Sequence, residues 1–124
     1  MLIPHLHFCG DCAEAIHLYE KAFHTTVASI DCAADGKSIA HAAMSIHGQT
    51  VFLNDNFGNK GRTWDCAVHL ILTFKTAEEL LACYAVLAPE GDAAKTFYAT
   101  PYSALCGNFM DRFGMLWGFM ADAE

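Results

Sequence analysis

Seven histidines and six cysteines in a chain of 124 residues are the side chains with the widest chemical scope. His5 and His7 lie two apart in PHLHFC (4–9), alternating with Leu6 and Phe8. Such alternation predicts a half-buried strand with both imidazoles on one face. His69 stands near the start of AVHLILTF (67–74), 64 residues after His5, and His41 lies mid-strand in SIAHAAM. An imidazole titrates near neutrality and can serve as base, hydrogen-bond donor or metal ligand. Two neutral imidazoles on facing strands suit Zn, Ni or Fe. For His7 or His41 taken singly, a half-buried structural histidine is the plainer reading. The grouping of His5, His7 and His69 on inward faces is the stronger signal. His17 and His24 belong to a helix or its end, and His47 to a turn.

Cys9-Gly10-Asp11-Cys12 crosses a strand-to-helix turn. A helix N-terminus lowers a thiol pKa, which would make Cys12 reactive. A redox C-x-x-C expects a thioredoxin-like βαβ setting, and the hairpins that follow do not supply one. Cys9, Cys32, Cys66, Cys83 and Cys106 sit in apolar runs and read as small hydrophobes. Trp64, Tyr98, Tyr102, Phe109 and Trp117 could line an aromatic pocket. Core packing is the better reading for Trp117, and Tyr102, just after Pro101, is the best candidate for a pocket wall or gate. No carboxylate pair of glycosidase type is visible. Asp111 reads as a turn-former.

Positioning these groups requires a regular scaffold, and the chain supplies one twice. After the first strand, Asp11 and Glu14 have capping-box spacing. Ile16, Tyr19, Ala22 and Phe23 then follow at helical spacing, predicting a helix over 12–23. Strands are expected at 26–31, 38–46 and 49–55, separated by Asp35-Gly36 and His47-Gly48 turns. FGNKGR (57–62) opens a linker placed at 57–63. The second half repeats the order. It has a strand at 67–74, a capping box at Thr76 and Glu79, and a helix with Leu80, Cys83, Tyr84 and Leu87 on its apolar stripe. Strands at about 94–99, 104–110 and 115–121 complete it. Ala13-Glu14 maps on Ala77-Glu78, and Ile16 on Leu80, with the same offset as His5 on His69. The expectation is one α+β domain over 1–124, built of module 4–55 and module 66–121.

Composition narrows the partners. Hydrophobic residues are 54% and charged residues 17%, which excludes a disordered chain. Lys and Arg number 7 against 14 Asp and Glu, giving a net charge of −7 without a basic cluster. Nucleic acid is therefore not an expected partner. No apolar run has membrane-spanning length, and MLIPHLHFCGDC lacks the basic segment of a signal peptide. A core-rich chain of this kind is not a disulfide scaffold. A reducing cytoplasm is the expected location, and exposed sheet edges predict a homodimer.

Three segments carry a family resemblance. PHLHFCGDCAEAIHLYEKAF resembles the opening of PhnB-like proteins, GKSIAHAAMSIHGQTVFLND their second hairpin, and CGNFMDRFGMLWGF their closing G-x-x-x-D-x-F-G-x-x-W signature. The likeness spans about 4–121. It implies the vicinal oxygen chelate superfamily of glyoxalase I, extradiol dioxygenases and bleomycin-resistance proteins. The implied fold is a pair of βαβββ modules forming a cupped mixed sheet with helices outside. Chemistry is not implied, because the superfamily holds both metal enzymes and metal-free binders. Methyltransferase labels attached to the family find no Gly-rich cofactor loop in these residues.

Superfamily metal ligands come from the first and fourth strands of each module. The resemblance puts His5 and His69 at first-strand positions. In strand 49–55 the nearest fourth-strand candidates are Asn54 and Asp55, of which Asn54 shares the inward face with Phe52 by alternation; in the last strand the expected carboxylate falls at Gly118. Two functions follow. One is a metal-free cavity protein binding a small amphipathic or cationic molecule, with His5, His7, His41, Asn54, His69 and Tyr102 lining the cavity. The alternative is a metal-dependent lyase, isomerase or dioxygenase using a divalent ion on His5 and His69. The missing carboxylate and the acidic charge favour the first, and the paired histidines favour the alternative.

Overall fold

The computed structural model describes residues 1–57, 68–91 and 97–123. Trp64, Cys66, nearly all of the expected linker and the start of the 94–99 strand lie outside the described residues. The chain divides into two compact units, Met1–Gly61 and Arg62–Glu124. The first contains β1 (His5–Phe8), α1 (Cys12–Phe23), β2 (Ser29–Cys32), β3 (Ile39–Ile46) and β4 (Gln49–Asp55). The second contains β5 (Leu70–Phe74), α2 (Ala77–Leu87), β6 (Tyr98–Thr100), β7 (Ser103–Met110) and β8 (Leu116–Asp122). Each unit is thus a βαβββ module with one four-stranded mixed sheet. The strand orders are β1-β4-β3-β2 and β5-β8-β7-β6. In each, the first and fourth strands run parallel and the remaining neighbours antiparallel. The fold is α+β, as the repeated element order predicts.

In the first unit α1 buries Cys12, Ala15, Ile16, Tyr19, Ala22 and Phe23. These recur every three or four residues and pack against β3 and β4. Opposite them, Leu6, Phe8, Ala42, Met44, Ile46, Val51 and Leu53 are buried. The helix stops at His24, whose φ of 52° is left-handed and ends the ladder. Its start differs from expectation. Asp11 occupies the N-cap position, but its side chain makes no capping bond. Its φ of −115° and ψ of 20° are not the extended conformation that aims a cap side chain at the helix. Asp55 at the end of β4 does the work instead. Its Oδ1 accepts from the N–H groups of Gly10 (2.8 Å) and Cys12 (3.0 Å), and its Oδ2 from Ile39 N–H (2.8 Å). One carboxylate therefore ties the β1–α1 turn, the start of β3 and the end of β4 together.

The β3–β4 hairpin turns on His47 and Gly48, with φ of 51° and 80°. Both values are positive, as the two-residue type I′ turn requires. The strand expected at 26–31 begins instead at Ser29. The Glu20 carboxylate accepts from Val27 N–H at 2.9 Å, holding the chain out of the ladder until Ala28 reaches Ala43. All of β2 is exposed, so Cys32 is a surface thiol rather than a small hydrophobe.

In the second unit α2 buries Leu80, Cys83 and Leu87 against β5 and β8. Half of the expected capping box forms, with Glu79 N–H donating to Thr76 Oγ1 at 3.1 Å. The β7–β8 connection is organised by Asp111, which is 0% exposed. Its Oδ1 accepts from Phe113 N–H (2.9 Å) and Met115 N–H (3.0 Å), and its Oδ2 from the indole Nε1–H of Trp117 (2.8 Å). Gly114 supplies a φ of 91° that an L-residue rarely adopts. The spacing D-x-F-G-x-x-W is thereby explained as a fold device. Trp117 and Phe109 are fully buried core residues.

Candidate functional site

Each sheet has its helix on one face only, and alternation decides what the other face carries. In β1, β3 and β4 the buried positions are Leu6, Phe8, Ala42, Met44, Val51 and Leu53. His5, His7, His41, Phe52 and Asn54 therefore share the face away from α1. Register brings them together, since His5 pairs with Phe52 and His7 with Asn54. The His5 and His7 ring centroids are 4.3 Å apart, and His5 and His41 are 6.2 Å apart. Phe52 completes the group edge-on, 6.0 Å from His5 and 4.6 Å from His41. Four of the six expected site residues thus meet on one sheet face.

The polar contacts fix the chemistry of this group. His7 Nδ1 lies 2.6 Å from Asn54 Oδ1. A carbonyl oxygen only accepts, so this contact assigns the proton to Nδ1. The neutral ring then presents Nε2 as an acceptor. The His5 pKa is lowered by its partial burial and then by the nearness of His7 and His41. His5 is therefore a neutral ring at pH 7, free to donate or accept. On the edge strand, Asp31 stands opposite His41 in register. Alternation in β2 could have pointed to Asp31, but the strand was expected to end there.

The second sheet carries a sparser counterpart. The Ile71–Gly118 pair in β5 and β8 repeats the His7–Asn54 pair in β1 and β4 at the offset of 64. Asn108 of β7 pairs with Gly118 on its other side. A Cβ on Gly118 would sit 3.0 Å from Asn108 Oδ1, 3.2 Å from Ile71 Cγ1 and 3.5 Å from His69 Nε2. His69 and Asn108 therefore converge over the bare glycine. Asn108 was not among the expected site residues, because it sits inside a segment read as a family signature. Tyr102 is placed in the β6–β7 turn, 67% exposed, with its N–H on Thr100 Oγ1 at 3.3 Å. His5 belongs to the first unit and His69 and Tyr102 to the second, so each is located within its own sheet.

The cysteine expectation is corrected. Cys12 is fully buried, and burial, with the Asp55 and Asp11 carboxylates, pushes its thiol up to about 12. Desolvation and two negative neighbours outweigh the helix N-terminus. Cys9 is exposed rather than packed as a small hydrophobe, and both cysteines are free.

The donor set does not suit a superfamily metal centre. At the positions that the resemblance gives to metal ligands, the first unit has His5 and an amide already bonded to His7, and the second has His69 and a glycine. Neither of these fourth-strand positions, Asn54 and Gly118, carries a hard carboxylate ligand. Among the described residues, no group of three or more His, Cys, Asp or Glu is placed to hold a metal ion.

Comparison with known proteins agrees with this architecture. The model of the family described as 3-demethylubiquinone-9 3-methyltransferase matches residues 1–120. A Bacillus cereus PhnB protein given the same description is 25% identical, with a TM-score of 0.83 over 97% of this chain and 98% of that one. Protein PA1353 from Pseudomonas aeruginosa is 22% identical, with a TM-score of 0.83 over 100% and 98%. The fosfomycin resistance protein FosX from Listeria monocytogenes is 12% identical, with a TM-score of 0.70 over 99% and 93%. No functionally curated protein matches the chain in sequence. A match over nearly the whole length, on this fold, means that the chain belongs to the PhnB-like 3-demethylubiquinone-9 3-methyltransferase family of the vicinal oxygen chelate superfamily.

Proposed function

We propose that this chain binds a small molecule without a metal, on the open face of the first sheet. The observation that carries the reading is the group of His5, His7, His41 and Phe52 with the His7–Asn54 hydrogen bond. A few fixed polar groups beside aromatic surface are what small-molecule sites use for orientation and affinity. The bond that orients His7 also engages the Asn54 oxygen, which supports a hydrogen-bonding role for this fourth-strand residue. The second sheet, with His69 and Asn108 over Gly118, offers a smaller polar patch of the same kind. At the start of α1 the N–H of Cys12 is already taken by the Asp55 carboxylate rather than left for an anionic cofactor. The five free cysteines among the described residues suit a reducing compartment such as the cytoplasm.

A fragment library screened by NMR against chelator-treated protein tests this. Hits should move the signals of His5, His7, His41 and Asn54, and added Zn should not be needed. Hits that appear only with added metal would replace this reading with the metal-enzyme one. Stoichiometric metal in untagged protein, lost on His69→Ala, would do the same. The same proposal includes a homodimer, because edge strands β2 and β6 leave Ile30 and Tyr98 exposed. Light scattering at tens of micromolar checks it, and a monomer mass removes it.

A further inference from the structure

We infer that the group bound by the His5–His7–His41–Phe52 face is an organic cation, and that protons compete with it for the site. This rests on the metal-free binding reading above and names its ligand class. Four observations point the same way. First, four rings form one connected group on one sheet face, with His5, His41 and Phe52 in mutual contact and His7 against His5. Aromatic faces attract ammonium groups through the ring quadrupole, and neutral imidazoles can join Phe52 in that role. Second, the strands that build the face bring no positive side chain to it. The inward groups are His5 and His7 on β1, His41 on β3, and Phe52 and Asn54 on β4, with no Lys or Arg in any of these strands. Third, the charged residue that the register adds to this face is a carboxylate, Asp31 of β2 opposite His41. Fourth, the chain as a whole carries −7, which draws cations toward it.

The titrating groups on this face are therefore His5, His7, His41 and Asp31. Partial burial, and then the nearness of His7 and His41, lower the His5 pKa and favour its neutral form. Adding a proton to any of the three imidazoles places a positive charge within one ring contact of the bound ammonium. Cation binding must then be weakest when the imidazoles are protonated. It should strengthen as pH rises through their titration and level off above it. An anion would show the opposite slope, and a neutral molecule a shallow one.

Three probes of one shape separate these cases: choline, its neutral isostere 3,3-dimethylbutan-1-ol, and the anion 3,3-dimethylbutanoate. Binding is followed by the ring signals of His5, His7, His41 and Phe52 in the full chain. Choline should bind about three- to thirtyfold more tightly than the neutral isostere. Its affinity should fall by up to about tenfold between about pH 8 and about pH 5.5. His5→Phe keeps a ring while removing one of the three titrating imidazoles, so it should lessen the pH dependence of choline binding. Asp31→Asn, at an exposed position, should weaken choline severalfold without touching the alcohol. Equal binding of choline and the alcohol on this face overturns the cation assignment but leaves the metal-free binding reading intact. Tighter binding of the carboxylate at low pH reverses the assignment. Failure of all three to move the four rings at tens of millimolar also overturns it, whatever the fragment screen finds.

Discussion

Asp111 offers a sharp test of how this fold is held. Its carboxylate is wholly buried and among the described residues accepts three hydrogen bonds, two from turn N–H groups and one from the Trp117 indole. Asp111→Ala removes all three acceptor contacts at once. A buried donor left without a partner costs about 1–3 kcal/mol. The Phe113 N–H and the indole N–H are buried, while Met115 N–H is only partly so. The expected loss is on the order of 3–6 kcal/mol, a large share of the roughly 5–15 kcal/mol that a domain has. Asp111→Asn is gentler. Its remaining oxygen can keep both turn contacts, but its NH₂ then faces the indole N–H, donor against donor. That conflict should cost about 1–3 kcal/mol. Urea denaturation followed by far-UV circular dichroism reads both. Trp117→Phe removes the indole donor, so combining it with Asp111→Asn should cost less than the two changes summed, by about 0.5–3 kcal/mol. An Asp111→Asn protein within about 0.5 kcal/mol of wild type, or strict additivity in the cycle, would refute the role given to this carboxylate.

Other outcomes follow from single sites. Asp55→Ala should destabilise the first unit by about 2–5 kcal/mol, because three N–H groups from separate segments lose one acceptor; chemical denaturation checks it. In an NMR titration the His5 ring should titrate below its ordinary 6.5, and His7→Gln or His41→Gln should move it back upward. For stability the sign is the reverse of a paired histidine. The folded state resists the proton on His5, so stability falls as pH drops below 6.5 through the lower folded value, and His5→Phe should remove that part of the fall. Iodoacetamide at mildly alkaline pH should modify exposed Cys9 in the folded protein and spare Cys12, whose thiol is pushed to about 12; equal labelling would contradict the burial. Gly118→Glu should raise the affinity for added Zn, because its carboxylate can swing toward His69. Asn108 Oδ1 at 3.0 Å and Ile71 Cγ1 at 3.2 Å must first give way, at a stability cost of about 1–3 kcal/mol. Calorimetric titration with Zn, compared with wild type, decides it.

The parts of the fold legible in the sequence are those set by local periodicity. The α1 bounds follow from Ile16, Tyr19, Ala22 and Phe23, and the hairpin at His47-Gly48 from turn chemistry. The parts that were not legible depend on contacts between distant segments. Asp11 has the spacing of a cap, yet Asp55 performs the capping from 44 positions away. No window along the chain reports that. The same holds for Cys12, whose neighbours in sequence suggest activation while its neighbours in space forbid it. In the site, alternation placed His5 and His7 correctly on one face and Asn54 beside Phe52. What alternation leaves open is register, and register is what puts His7 against Asn54, Asp31 opposite His41 and Asn108 over Gly118.

The two kinds of motif in this chain do different jobs. The closing D-x-F-G-x-x-W signature, which most strongly marks the family, is consumed by the fold. Asp111 caps the turn, Gly114 supplies its left-handed step, and Trp117 seals the core. None of the three faces the surface that could meet a ligand. The residues that do face it come from β1, β3 and β4, and their pattern departs from the metal-binding plan of the superfamily at both fourth strands. Family membership therefore predicts this architecture closely and this chemistry poorly. An amide at Asn54 and a glycine at Gly118 keep the two structurally equivalent positions free of charge, while three imidazoles accumulate on the neighbouring strands. On the reading proposed above, such a face would gain its electrostatic character from pH rather than from a bound ion, which makes proton competition the property to measure first.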